Sequence, residues 1–251
     1  MRINNCADKD VSIQAAIRAM RSDLKINIDK GYKEGNRIYF KEEIRCYGVR
    51  TPIVRGIAKK YFKIVGNRKN REIFKISEEL LKSDFNEEAI IAIQLASNLN
   101  DRAESNDFYL FERWLNRYIN NWSKTDNFCL SVLSHIIVRF PEHRKRVKSW
   151  TDSKNRWVRR ASAVAFIQGN KRWRIHPAYL GDVFDVATYL MDDADDLVQK
   201  GFGWALKVAA DDYQKEVFDF VMQHKNKMAR TALRYAIEKM PSDMKRRAMQ
   251  R

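Results

Sequence analysis

The sequence predicts an all-α chain of successive helices stacked in antiparallel pairs. Three observations carry that expectation. Glycine and proline are scarce, nine and four in 251 residues, where a β-rich chain of this length needs many tight turns. Apolar residues recur at three- and four-residue spacing along almost the whole chain. No segment shows a convincing strand alternation, although "RIYFKEEIRCYGV" is ambiguous on periodicity.

Taken in order, "VSIQAAIRAMRSDLKINIDKGY" sets Ile13, Ala16, Ile17 and Met20 on one stripe. "TPIVRGIAKKYFKIVG" opens with Thr51 as the expected N-cap and Pro52 at the first helical position. "REIFKISEELLKS" and "NEEAIIAIQLASNL" follow, separated by a turn at Ser83 and Asp84, and then "SNDFYLFERWLNRYI". "NNWSKTDNFCLSVLSHIIVRF" is a further helix, and Pro141 starts the next, "PEHRKRVKSWTDS". "NRWVRRASAVAFIQG" is expected to run to a C-cap at Gly169. Beyond a loop containing Pro177 come "AYLGDVFDVATYLM", "DADDLVQKGFGWALKVAA", "DDYQKEVFDFVMQH" and "NKMARTALRYAIEKM". Two such helices occupy about 40 residues, the period of HEAT-type repeats. The expected architecture is a HEAT-like helical repeat solenoid, an α-α superhelix forming one domain over 1–251, with an irregular helical bundle as the alternative. A solenoid curves and offers a long concave face. A basic concave face would match the outside of a duplex.

Hydrophobic residues make up 45% of the chain, so it is globular. Its formal net charge is +16. Either the basic surface is simply solvated or the chain has a polyanionic partner, most often nucleic acid. No segment approaches the ~20 apolar residues that span a bilayer. Cys6, Cys46 and Cys129 form no C-x-x-C pair, so neither a zinc site nor a disulfide framework is indicated, and Cys129 reads as a core residue. His135, His143, His176 and His224 are not spaced as a metal-ligand set. The N-terminal stretch has no signal-peptide pattern, which points to a cytoplasmic protein.

The informative side chains are tryptophans and arginines. Trp114 and Trp150 fall on apolar stripes, and Trp157 is expected to pack inward near the start of its helix; Trp173 sits in a basic loop without an evident place. Trp122 and Asp126 are four apart and share one helix face, ahead of the core stripe at Phe128, Leu130 and Leu133. If Val198, Phe202 and Leu206 take the core, Trp204 turns partly away from it. Gly201 and Gly203 each weaken that helix by ~1 kcal/mol relative to Ala, which is tolerable where something must approach closely. The other reading is a loosely packed helix with a core Trp. Arg159 and Arg160 are either solvated or a bidentate phosphate anchor.

These residues carry a resemblance. The chain resembles the AlkD family of DNA alkylation-repair glycosylases, which are built from HEAT-like repeats. Four segments match in order between Tyr39 and Leu206. "RIYFKEEIRCYGVRTPIVR" resembles an N-terminal signature with an aromatic ahead of a G-[VI]-x-T-P turn, here Tyr39 and Gly48 to Pro52. "NWSKTDNFC" resembles W-x-x-x-D, matching Trp122 and Asp126; "NRWVRRASAVAF" matches the family's Arg with Arg160. "LVQKGFGWAL" resembles Q-K-x-x-G-W and matches the second cleft Trp with Trp204. Thr125 stands where the family often has an aliphatic residue, and "NKRWRIHPAY" follows no family pattern.

The resemblance implies a monomeric, nucleoid-associated enzyme that removes N3- or N7-alkylated purines from duplex DNA without metal or organic cofactor. Such bases are cationic and leave readily, through an oxocarbenium-like sugar. Asp126 would stabilise that cation and activate water. At ~4 Å and an effective dielectric of ~20, a lone carboxylate is worth ~4 kcal/mol, about three powers of ten in rate. Trp122 and Trp204 would offer ring faces to the cation, worth roughly 0.5–2 kcal/mol each. Arg160, Tyr39, Arg159 and Lys200 would hold the DNA backbone. The alternative is a non-catalytic HEAT-repeat protein that binds branched or damaged DNA.

Overall fold

A computed structural model describes residues 12–169 and 172–250. Cys6 and the N-terminal stretch lie outside the described residues, as do Asn170 and Lys171 in the basic loop. Contacts within the chain form two compact units, one ending at Arg102 and the other beginning at Ala103.

The first unit contains α1 (Ile13–Ile26), α2 (Lys30–Asn36), α3 (Thr51–Val65), α4 (Asn70–Leu81) and α5 (Asn86–Ser97). The α1 stripe is buried at Ala16, Ile17, Met20 and Leu24, matching the 3.6-residue period. Ser12 caps this helix by accepting the Ala15 N–H. In α3 the N-cap is Arg50, without a side-chain cap, and Thr51 is already helical. The expected Thr51 cap is therefore displaced by one residue, while Pro52 sits in the first turn as its fixed φ favours. Helix α5 packs against both α3 and α4, which explains its apolar residues on nearly every side.

Beyond a short 3-10 turn over Arg37–Tyr39, the ambiguous stretch before α3 is neither strand nor helix. Its backbone donors go to a carboxylate instead. Glu87 Oε2 accepts the Tyr47 N–H at 3.0 Å, and Oε1 accepts those of Gly48 and Val49 at 2.8 and 3.1 Å. Glu87 lies in the first turn of α5, where the helix dipole favours a negative charge. Its neighbour Glu88, 1% exposed, accepts the Tyr47 hydroxyl at 2.7 Å and pairs with Arg21. Burial pushes the Tyr47 hydroxyl far above its ordinary pKa, and Glu88 adds to the shift.

The second unit contains α6 (Asp107–Tyr118), α7 (Trp122–Phe128), a π-turn over Cys129–Leu133, α8 (Ser134–Arg139), α9 (Arg144–Ser149), α10 (Arg156–Val164), α11 (Leu180–Tyr189), α12 (Asp196–Ala209), α13 (Gln214–His224), α14 (Arg230–Ala236) and α15 (Ser242–Met249). Helix α12 is the hub, packing against α10, α11 and α14. Trp114 and Trp150 are buried as their stripes predict, and Trp157 packs inward at the start of α10 as expected. Phe108 stacks between His143 and Trp150.

Helix α10 ends at Val164 rather than at Gly169. The chain then makes a small hairpin of β1 (Ile167–Gln168) and β2 (Arg174–Ile175), with Ile167 opposite Ile175. Gly169 has φ +103, and a Cβ there would lie 2.1 Å from the Arg172 carbonyl oxygen. It turns the hairpin; it does not cap the helix. Apart from this pair, the described residues form an all-α helical-repeat fold. Among them, no helix is long and apolar enough to cross a membrane.

Glu87→Gln keeps the shape but sets an amide donor against one of the three backbone donors. We expect a loss of about 3 kcal/mol, from one unsatisfied buried N–H and the weakening of charge-assisted bonds, read from the urea midpoint at unchanged m-value.

Candidate functional site

Helix α7 starts from a well-satisfied corner. Asn121, in extended conformation, accepts the Lys124 N–H at 2.8 Å as N-cap. The Thr125 hydroxyl donates back to the Asn121 carbonyl at 2.8 Å, and the buried Lys124 ammonium donates to Asn120 Oδ1 at 2.9 Å. These contacts fix the first turn, which carries Trp122 and, four residues on, Asp126. Both side chains are half-buried. The π-turn follows at once, with the Ser134 N–H bonding to the Cys129 carbonyl five residues back. One residue more per turn rotates everything downstream by about 100°. Phe128, just ahead of this turn, and Cys129, Val132 and Leu133 within it are buried, whereas Trp122 and Asp126 stay at the border of the core. Burial, with the nearby charge of Asp126, pushes the Cys129 thiol well up, so this cysteine is a core residue and no nucleophile.

The second element is α10. Its first turns carry Arg156, Arg159 and Arg160 at the end where the helix dipole disfavours positive charge. Each guanidinium is matched by an aspartate. Arg156 donates to Asp195 at 2.9 Å. Arg159 donates to both oxygens of Asp193 and, through Nη1, to the carbonyls of Ser153 and Lys154. Arg160 makes a two-pronged contact with Asp126, Nε to Oδ1 and Nη2 to Oδ2, both at 2.8 Å. Its Nη1 donates to the Leu197 carbonyl of α12. Burial works against the Arg160 charge, but the hydrogen bonds and charge of Asp126 outweigh it, and the net pKa is raised.

Helix α12 closes the arrangement. Asp195 caps it, accepting the N–H groups of Leu197 and Val198. The glycines have the close neighbours that their cost required. A Cβ on Gly201 would lie 3.1 Å from Arg160 Cγ, and one on Gly203 would lie 2.8 Å from Tyr235 Cβ and 2.9 Å from the Ala232 carbonyl of α14. Val198, Phe202 and Leu206 are buried, and Trp204 is half-buried one turn beyond Gly201 on the same stripe.

The structure thus joins Asp126 and Arg160 directly, sets Trp122 one turn before Asp126 on the same helix, and places Trp204 along the helix that Arg160 touches. Arg159 and Arg160 turn inward to aspartates rather than outward as open forks, because Arg159 faces the acidic run before α12 and Arg160 faces Asp126 of α7. Lys200 is half-exposed and lies 3.2 Å from Asp196, a pair of little energetic weight. Tyr39 belongs to the first unit, 67% exposed on a short 3-10 turn. Sequence reading missed Asp193, Asp195 and the placement of Trp173. The run "DDADD" ahead of α12 was the available signal for the two aspartates, since it offers anions to an arginine-rich helix. Among the described residues, no group of three or more His, Cys, Asp or Glu side chains is placed to hold a metal ion. A surface groove of 630 Å³ elsewhere in the second unit, lined by Arg144, Lys148, Asp182 and Tyr189 among others, contains none of the candidate residues.

Residues 20–240 match the family model described as DNA alkylation repair enzyme, extending the motif resemblance at both ends. No curated protein matches. Among solved structures, the chain is similar to a predicted DNA alkylation repair enzyme from Enterococcus faecalis, with 13% identity and a TM-score of 0.73 over 86% of this chain and 98% of that one. It is also similar to AlkD2 from Streptococcus mutans, with 15% identity and a TM-score of 0.62 over 92% of this chain and all of the other. At such identities the likeness speaks for the fold alone.

Arg160→Ala would leave the Asp126 carboxylate and the Leu197 carbonyl without their donor. A loss of about 3–5 kcal/mol is expected for one broken partner of a buried pair, measured by urea unfolding, with Arg160→Lys in between.

Proposed function

Since the chain belongs to the DNA alkylation repair enzyme family, we propose that it is a DNA N-glycosylase that releases N3- and N7-alkylated purines from duplex DNA. One observation supports this most. Asp126, the more exposed member of its pair with Arg160 (15% against 7%), is held in a fixed orientation on the helix face it shares with Trp122.

The lesion brings its own leaving-group activation, because alkylation at N3 or N7 makes the purine cationic. As the C1′–N bond breaks, its electron pair goes to the base, which departs neutral, and the positive charge passes to the sugar. Asp126 stabilises that oxocarbenium-like sugar. Water then adds at C1′ and loses its proton with the carboxylate as base, leaving an abasic site. Arg160 is a positioning residue behind the carboxylate. It subtracts from the field of Asp126, so the ~4 kcal/mol of a lone anion is a ceiling. It also fixes both oxygens in place, so little reorganisation is needed as charge develops. Trp122 and Trp204 supply ring faces to the cation.

Backbone contacts fall to Lys200 and Tyr39, both partly or largely exposed. Arg159 or Arg160 reaches a phosphate only by giving up its aspartate. With a net charge of +16, duplex binding is electrostatic. Log affinity should fall linearly with log salt, by about 0.9 per phosphate contacted; a salt-independent affinity in a fluorescence titration contradicts this.

Asp126→Asn should lower single-turnover excision of 7-methylguanine at least ~100-fold, or ~2.7 kcal/mol, with duplex affinity retained. The change also deprives Arg160 of its counter-ion. The rate is therefore measured at a temperature where circular dichroism shows the variant folded. Undiminished excision by the folded variant would falsify the catalytic role. A wild type that releases neither 7-methylguanine nor 3-methyladenine, yet binds DNA, shifts the function to a non-catalytic binder of branched or damaged DNA.

A further inference from the structure

Trp173 is the one tryptophan outside both the apolar stripes and the family motifs, and the hairpin delivers it to a defined place. Ile167 and Ile175, 0% and 1% exposed, anchor the two short strands in the core. The left-handed turn at Gly169 allows the Arg172 carbonyl to come close. Arg172 bonds at 2.6 Å to Asp212, just past the end of α12, and β2 packs on that helix. Between these anchors Trp173 meets Trp204. The ring centroids are 6.4 Å apart and the planes stand at 86°, an edge-to-face pair. In such a pair the positive edge of one ring meets the negative face of the other, which resists rotation of both.

We propose that Trp173 is a positioning residue that fixes the plane of the Trp204 indole, so that Trp204 offers a constant face to the substrate. The proposal rests on the glycosylase reading of the site. Trp204 is half-buried on α12, and its ring meets that of Trp173. The hairpin, anchored by its two isoleucines and by the Arg172–Asp212 pair, sets an aromatic ring edge-to-face against the Trp204 indole, which opposes its rotation about χ2. Nothing in the fold of the hairpin requires a tryptophan at this position: its core contacts are made by the two isoleucines and its surface contact by Arg172.

The test compares Trp173→Ala, Trp173→Leu and Trp173→Phe in the full chain by single-turnover excision of 7-methylguanine from duplex DNA, with duplex affinity and melting temperature measured on each. A positioning role predicts that Trp173→Ala and Trp173→Leu lower the maximal rate about five- to ten-fold, the rate equivalent of one aromatic pair, with affinity unchanged. Trp173→Phe, which keeps a ring, restores most of that rate. A far-ultraviolet exciton couplet from the two adjacent indoles is expected in the wild type and should disappear equally in Trp173→Phe and Trp204→Phe. Wild-type rates in Trp173→Ala, rescue by Leu equal to that by Phe, a rate loss that follows the melting temperature alone, or absence of the couplet each overturns the proposal. If the wild type excises nothing, the glycosylase reading fails and this proposal with it; if the wild type excises and Trp173→Ala does so equally well, the proposal fails alone.

Discussion

The second unit depends on the two-pronged contact between Arg160 and Asp126. It joins residues 34 positions apart, ties α7 to α10, and extends to α12 through the Leu197 carbonyl. Removing two charges from water costs several kcal/mol per ion, and only close geometry with every remaining donor occupied brings such a pair near balance. Here the arginine is nearly enclosed, both carboxylate oxygens are engaged, and a third donor group finds a main-chain acceptor. An apolar pair of equal volume could hold the same helices together. What it could not supply is a carboxylate whose direction is set to within a hydrogen bond. That distinction is why the proposed chemistry is centred on Asp126.

Charge in the same region is more local than the net value suggests. The three arginines of α10 stand at the unfavourable end of its dipole, and Asp193, Asp195 and Asp126 answer them one for one. Asp195 also caps α12, so a single acidic turn secures two helices at once. The surplus positive charge of the chain therefore resides elsewhere, on more exposed lysines and arginines.

Much of the helical order was legible because burial follows the 3.6-residue period directly. The stripe of α1, the core positions of α12 and the buried Trp114 and Trp150 all follow from spacing. At Gly201 and Gly203 spacing left two readings, close approach or a loosely packed helix, and the structure supplies the close neighbours. What spacing could not show was tertiary pairing. Arg159 and Arg160 read as open forks because nothing local to α10 is acidic; their partners come from α7 and from the turn before α12. The stretch ending at Val49 was ambiguous on periodicity because it is neither regular strand nor regular helix; three of its donors are met by Glu87, some 40 residues on. Gly169 read as a helix cap because caps and hairpin turns both use left-handed glycine. The pairing of Trp122 with Asp126 on one face was local and was read directly; the π-turn that separates this face from the core below it has no sequence mark of its own.

The two glycines of α12 bear on how this protein can adapt to heat. In most helices, replacing glycine by alanine is a ready route to greater thermal tolerance, gaining up to ~1 kcal/mol through helix propensity and a less flexible unfolded chain. At Gly203 the added methyl would meet backbone and Cβ atoms of α14 at less than 3 Å, and at Gly201 it would crowd the arginine stem that carries the ion pair. The central helix is thus confined to a sequence of poor intrinsic helicity. Its permanence is borrowed from its neighbours, and any lineage moving to higher temperature must strengthen the surrounding helices while leaving the middle one as it is.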